Sequence, residues 1–218
     1  MEEPTNVQVF NAEWDEEGVY VYQAFNDQIA NWAIENQRFG GPDFNPKRMT
    51  WIKPSFAWVL YRSGYAQKHN QTRILKIKLP HNAVAKILSK CGCEEGGGGK
   101  IGRVQWDPER DLLSADGKVP RKMSRQRAIQ IGMKETLSEF YVESTISIQD
   151  VTDLAHDVRK AHVGCKLKEE NLSISPQLPF ERPYMPSCSK EILEYLGMIP
   201  GITAERISKI GRGKVLTP

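Results

Sequence analysis

Apolar residues recur first with period two and then with period 3.6 along the opening third of the chain. Residues 19–25 (VYVYQAF) are β-branched and aromatic on both faces, which predicts a strand inside a sheet. Asn26 and Asp27 are good helix N-caps, Ile29, Trp32 and Ala33 then recur at helical spacing, and Gly40, Gly41 and Pro42 stop the helix after Phe39. Residues 48–52 (RMTWI) predict a second strand. Pro54 suits the first turn of the helix behind it, where no hydrogen-bond donor is needed. In that helix Phe56, Val59 and Leu60 form one apolar face and Trp58, Tyr61 and Tyr65 an adjoining one, so it is expected to be buried around most of its circumference.

Residues 72–79 (TRILKIKL) alternate imperfectly, yet their aliphatic content predicts a strand ended by Pro80, and Val84, Ile87 and Leu88 predict a short helix next. EEGGGGK, at 94–100, reads as a flexible loop, because four consecutive glycines give up side-chain packing. Further short strands are expected at 104–106, 128–131 and 143–150. After Cys165 the chain is polar and carries Pro176, Pro179, Pro183 and Pro186, which favour an extended segment wrapping the domain. Residues 187–199 and 203–210 then read as two helices about a Pro-Gly-Ile turn. The pattern predicts an α+β fold with a mixed or antiparallel central sheet and flanking helices over 1–186, followed by a small helical hairpin at 187–218.

Composition narrows the class. With 39% hydrophobic and 26% charged residues the chain can bury a core, and no run of apolar residues is long enough to span a membrane. The opening Met-Glu-Glu-Pro has neither the basic nor the apolar region of a secretion signal, and four scattered cysteines make no disulfide framework. A cytoplasmic or nuclear setting is expected. The net charge of +3 conceals an acidic start (Glu13, Asp15, Glu16, Glu17) and a later basic run (Arg121, Lys122, Arg125, Arg127).

Candidate chemistry concentrates in residues 49–64 (MTWIKPSFAWVLYRSG), where two tryptophans, Lys53, Ser55, Tyr61 and Arg62 share one strand-to-helix unit. Polar groups at such a junction meet unpaired backbone N–H groups, so phosphate is the natural ligand. The alternative is that the aromatics are core, Lys53 is solvated and Arg62 pairs with a carboxylate. Arg62 follows Trp58 by one turn, which would let its guanidinium rest on the indole. Elsewhere, GGGGK departs from a phosphate loop, Cys91 and Cys93 have no nearby partner ligands for zinc, and the run Asp107, Glu109, Arg110, Asp111 reads as a solvated turn, with Trp106-Asp107-Pro108 as an alternative border of the site.

The stretches VYVYQAFNDQIANWAIENQRF, RMTWIKPSFAWVLYRSGYA, TRILKIKL, VQWDPERD and RAIQIG together resemble the domain-of-unknown-function family 4291 over residues 5–198. More distantly, the order of elements resembles small ADP-ribosyltransferase-like domains, including the RNA 2′-phosphotransferases. That resemblance implies an NAD site, with Gln23, Ser55 and Gln130 at the catalytic positions and Thr50, Trp51, Lys53, Tyr61 and Arg62 around the cofactor. It also implies transfer of ADP-ribose to, or removal of phosphate from, a nucleic-acid or protein acceptor. A non-catalytic nucleotide- or nucleic-acid-binding module is the alternative, since the usual arginine or histidine and the glutamate are replaced. Finally, residues 191–214 resemble a helix-hairpin-helix, which implies DNA or RNA phosphate contacts through Arg206, Lys209 and Arg212.

Overall fold

Strand β3 (Gly18–Phe25) carries residues that suit both faces of a sheet, and it pairs antiparallel along its whole length with β5 (Arg73–Pro80). The computed structural model describes residues 7–93, 100–112, 121–167 and 177–198. The fold is α+β, with six helices among those residues. Instead of one central sheet there are two principal ones. The first is antiparallel in the order β3-β5-β9, with β9 at Ser147–Asp150. Hence β5, not β3, is its central strand.

The second sheet is mixed. Strands β7 (Gly102–Asp111) and β8 (Arg121–Met133) form its long antiparallel hairpin. Strand β6 (Cys91–Cys93) adds parallel to β7, while β4 (Thr50–Ile52) adds antiparallel and β1 (Val7–Gln8) parallel to different stretches of β8. A minor pair joins β2 (Asn11–Ala12) to β10 (Arg182–Pro183).

Helix α1 (Asp27–Asn36) starts as its sequence requires, with the Asn26 side chain accepting from the Ile29 N–H. Helix α2 (Phe56–Ser63) is capped by Ser55, so Pro54 lies before the cap and not in the first turn. Phe56, Ala57, Trp58, Val59 and Leu60 are all buried, as the doubled apolar face predicts. Helix α3 (His81–Ser89) falls where Val84, Ile87 and Leu88 indicated. Helices α4 (Thr136–Glu143) and α5 (Thr152–Leu167) occupy segments without a strong apolar period; the expected strand at 143–150 begins only at Ser147 because α4 continues through Glu143.

One core joins Val21, Leu75 and Ile77 of the first sheet to Val104, Ile129 and Ile131 of the second, with Val84, Ile87 and Leu88 of α3. A second cluster, holding Tyr22, Phe56, Leu60, Ile74, Ala155 and Val158, lies between the first sheet and helices α2 and α5. The acidic start is absorbed by the alternate lysines of β5: Lys76 meets Glu13 at 2.7 Å and Lys78 meets Asp15 at 2.9 Å and also Glu17.

The proline-rich segment does wrap the domain over 177–198. Trp14 donates its indole N–H to the Pro183 carbonyl at 3.3 Å, and Tyr184 donates its backbone N–H to Phe10 at 2.7 Å. Helix α6 (Lys190–Tyr195) is shorter than expected, and Leu193, Leu196 and Met198 lie in the main core. The glycine loop at 94–99 and the expected second helix at 203–210 lie outside the described residues. No helix among the described residues is long and apolar enough to cross a membrane.

Candidate functional site

Side chains alternate across β4, so Thr50 and Ile52 face one way and Trp51 the other. On the core side, Gln23 of β3 donates both amide hydrogens, to Thr50 Oγ1 at 2.7 Å and to the Trp51 carbonyl at 3.0 Å, and accepts from the Tyr141 hydroxyl at 2.6 Å. Gln23 is 4% exposed and Tyr141 fully buried. This network ties β3, β4 and α4 together. It leaves the buried Gln23 and the half-buried Thr50 hydrogen-bonded to each other on the side of β4 opposite Trp51.

The opposite side of the second sheet is polar. Trp51 pairs with Gly132 of β8, and a Cβ at Gly132 would come within 2.9 Å of the indole ring, so glycine is what lets the ring lie against the strand. Gln130 pairs with Gln105 and donates to the Asp107 carboxylate, which places both β7 side chains on this face. Lys53 follows Trp51 by the period of two. Its backbone bridges to Tyr22, and its ammonium is half-buried.

The electrostatics of Lys53 set it apart. Among the described residues its side chain makes one hydrogen bond, a long 3.5 Å contact to the Trp51 carbonyl, and no carboxylate forms an ion pair with it. Burial, reinforced by the charge of Arg62, pulls its pKa from 10.5 to about 8, while Asp107 opposes the shift. Arg62, exposed on the last turn of α2, likewise has no carboxylate partner among the described residues. Lys53 thus feels the like charge of Arg62 against the attraction of Asp107.

Arg62 does not rest on Trp58. The guanidinium that does is Arg110, 3.6 Å from the Tyr61 ring centroid and 5.3 Å from that of Trp58. The Trp58 indole N–H and the Arg110 Nε–H are buried without an acceptor among the described residues.

Ser55 is used differently again. Its hydroxyl caps α2 by accepting from the Trp58 N–H at 3.3 Å and donates to Glu109 at 2.9 Å. A β-bulge between Pro108 and Arg110 turns Glu109 inward, where it is 8% exposed; burial raises its pKa above 4.5 against the opposing Arg110 and Ser55 hydrogen bonds. The run 107–111 is therefore strand and bulge, with only part of it solvated. A second carboxyl, Glu181 of the wrapping segment, accepts from the Phe56 N–H at 2.5 Å. Burial and the charges of Glu109 and Glu13 push its pKa well above the ordinary value, against the Phe56 hydrogen bond.

Of the residues expected from sequence, Trp51 and Gln130 share the polar face, while Lys53 and Arg62 lie near enough for their charges to interact. Gln23 and Thr50 form the core network, Ser55 sits at the α2 cap, and Tyr61 backs Arg110. Arg206, Lys209 and Arg212 lie outside the described residues. Asp107, Glu109 and Arg110 belong to the run that the sequence reads as a solvated turn with Trp106-Asp107-Pro108 at the border of the site, whereas Glu181 was not singled out. Pro108 within an apolar-flanked strand was the available signal for a bulge, whereas nothing local announces a contact between positions 56 and 181.

A family model described as a domain of unknown function (DUF4291) matches residues 9–184, most of the described fold and the whole of the polar face. The chain belongs to the DUF4291 family. No curated protein matches it. The DUF4291 match contains every residue of the Trp51, Lys53, Arg62, Asp107 and Gln130 group and ends with Tyr184, three residues beyond Glu181. The family therefore spans both sheets and the start of the wrapping segment, and assigns no reaction to them.

Proposed function

We propose that this DUF4291 chain binds a phosphate-bearing nucleotide, with NAD the foremost candidate, on the polar face of the second sheet. One observation carries the proposal: Lys53, without an ion-pair carboxylate among the described residues, reaches back to the Trp51 carbonyl at 3.5 Å and feels the charge of Arg62, which also has no carboxylate partner there. A pyrophosphate would neutralise both cations, relieving the repulsion that depresses Lys53, and the indole would take a base or nicotinamide ring by stacking.

The distant resemblance to ADP-ribosyltransferase-like domains makes transfer of ADP-ribose the natural reaction. Breaking the nicotinamide glycosidic bond creates positive charge on the ribose, which calls for a fixed anion close by. On this face that anion is Asp107, held by Gln130, and not Gln23. The acceptor is a nucleic acid or a protein; the hairpin resemblance at the C-terminal end favours DNA or RNA.

A second reading, a non-catalytic nucleotide-binding module of the same fold, is favoured by one observation. Gln23, at the position where such transferases carry a charged or titratable group, is consumed in the core network. Incubation with NAD separates the two. Release of nicotinamide that is lost in Asp107→Asn supports transfer, saturable binding without release supports the module, and neither binding nor release overturns the proposal.

A further inference from the structure

The wrapping segment is held to the domain unevenly along its length. From Arg182 onward its attachments are dense. Arg182 donates to the Trp14 carbonyl at 2.9 Å with its guanidinium over the indole, the Tyr184 hydroxyl lies 3.0 Å from His81 Nδ1, and Leu193, Leu196 and Met198 enter the core. Residues 177–181 have far less. Leu178 packs against the cluster of Tyr22, Phe56 and Leu60, and Phe180 is 71% exposed. Among the described residues one hydrogen bond joins this stretch to the rest of the domain, from the Phe56 N–H to Glu181 at 2.5 Å.

That hydrogen bond lies in an acidic corner. The Ser55 hydroxyl, on the residue before Phe56, donates to Glu109, so the Glu109 and Glu181 carboxyls sit on adjacent donors at the start of α2. Glu13 stands close by, accepting from the hydroxyl of Tyr22, whose ring lies 5.2 Å from that of Phe56. The groups facing Glu181 are thus Glu109 of β7 with the Arg110 charge beside it, Glu13 ahead of β3 with its partner Lys76 of β5, the Tyr22 hydroxyl of β3 and the first N–H of α2. Glu13 has an ammonium partner at 2.7 Å, whereas no cation among the described residues forms an ion pair with Glu181.

We propose that residues 177–181 form a pH-operated latch over the start of α2, closed while Glu181 carries a proton and opened when it ionises. Ionisation sets a negative charge beside Glu109 with no cation to meet it, and the carboxylate regains hydration by swinging out. The Phe56 N–H favours the anion, but burial and the two neighbouring carboxyls outweigh it and hold the Glu181 pKa well above 4.5. The latch is therefore fully closed below 4.5 and opens as pH rises through the raised value. Opening is local, because the β2–β10 pair and the attachments after it stay made; only the Leu178 packing and one hydrogen bond are given up. The latch needs no ligand and stands apart from the nucleotide reading.

Amide hydrogen exchange of the whole chain, followed by NMR between pH 5 and 8 and corrected for the base-catalysed rate of a free amide, tests it. The Phe56 N–H should lose at least about tenfold in protection across that range, while the Val59 N–H, bonded to the Ser55 carbonyl one turn into α2, keeps its own. Glu181→Gln retains an acceptor for Phe56 and should stay protected at every pH. Glu109→Gln removes the neighbouring charge that raises the Glu181 pKa, so the loss should move to lower pH. A Phe56 amide equally protected at pH 5 and 8, or one that loses protection in Glu181→Gln as it does in the wild type, overturns the latch. Loss at Val59 in step with Phe56 also overturns it, since α2 would then be unravelling under a segment that has not lifted.

Discussion

Tyr22 and Lys53 exchange both backbone hydrogen bonds, at 2.7 and 3.1 Å, and this single bridge joins the edge of one sheet to the edge of the other. The main chain of Lys53 is thereby fixed while its ammonium has no ion-pair partner among the described residues.

Lys53→Met should therefore keep the fold and raise its stability at pH 7. Folding lowers the lysine pKa from 10.5 to about 8, so the ammonium penalises the native state fully below pH 8. The penalty fades as pH climbs towards 10.5, because the unfolded chain then holds the extra proton. Urea titrations of both proteins should show the advantage of methionine shrinking between pH 8 and 10.5. A variant less stable at pH 7 would make Lys53 a structural residue.

The Gln23 network predicts a loss of stability without a loss of ligand. Tyr141→Phe strands the buried Gln23 carbonyl oxygen and should cost about 1–3 kcal/mol in denaturant unfolding. Nucleotide affinity should stay the same in the folded variant. A selective fall in affinity would return Gln23 to the binding site.

Arg62 and Arg110 should separate cleanly. Arg62→Ala removes an exposed side chain and is expected to change stability by less than about 0.5 kcal/mol. Arg110→Ala removes a guanidinium stacked on Tyr61 beside Trp58 and should cost about 1–2 kcal/mol. Thermal melts of the two variants side by side check this, and the reverse order would contradict the assignment of the stack.

Glu181 supplies a pH dependence of opposite origin. Its folded pKa is raised by burial and by Glu109, so the stability tied to the neutral carboxyl is complete below the ordinary 4.5 and is lost as pH rises through the raised value. Glu181→Gln keeps an oxygen for the Phe56 N–H. The variant should match the wild type near pH 4 and exceed it in melting temperature at pH 7.5. A variant weaker at neutral pH would indicate that the carboxylate charge is favourable at the α2 N-terminus.

Much of this was legible in the chain itself. The apolar period located β3, α1, β4, α2, β5 and α3, and the Asn26 cap was readable because capping is local. The division into two sheets was not readable, since it depends on which distant strands pair, β5 with β9 in one sheet and β4 with β8 in the other. At the site, the density of aromatics and cations in 49–64 marked a segment whose side chains the fold then separates. Alternation then divided that segment, sending Thr50 to the core with Gln23 and Trp51 with Lys53 to the open face. Arg110 displaced Arg62 from Trp58 because a strand from another part of the chain brought a guanidinium to the ring. Glu181 was invisible for the same reason.

Calorimetric titration of NAD and ADP-ribose into the wild type and the Lys53→Met/Arg62→Ala double variant tests the central claim most directly. The wild type should bind saturably, and the double variant should lose at least about tenfold in affinity, the scale of one lost charge-assisted hydrogen bond, while melting no lower. Equal affinity in the two proteins, or no binding to the wild type, would contradict the assignment of the polar face as a nucleotide site.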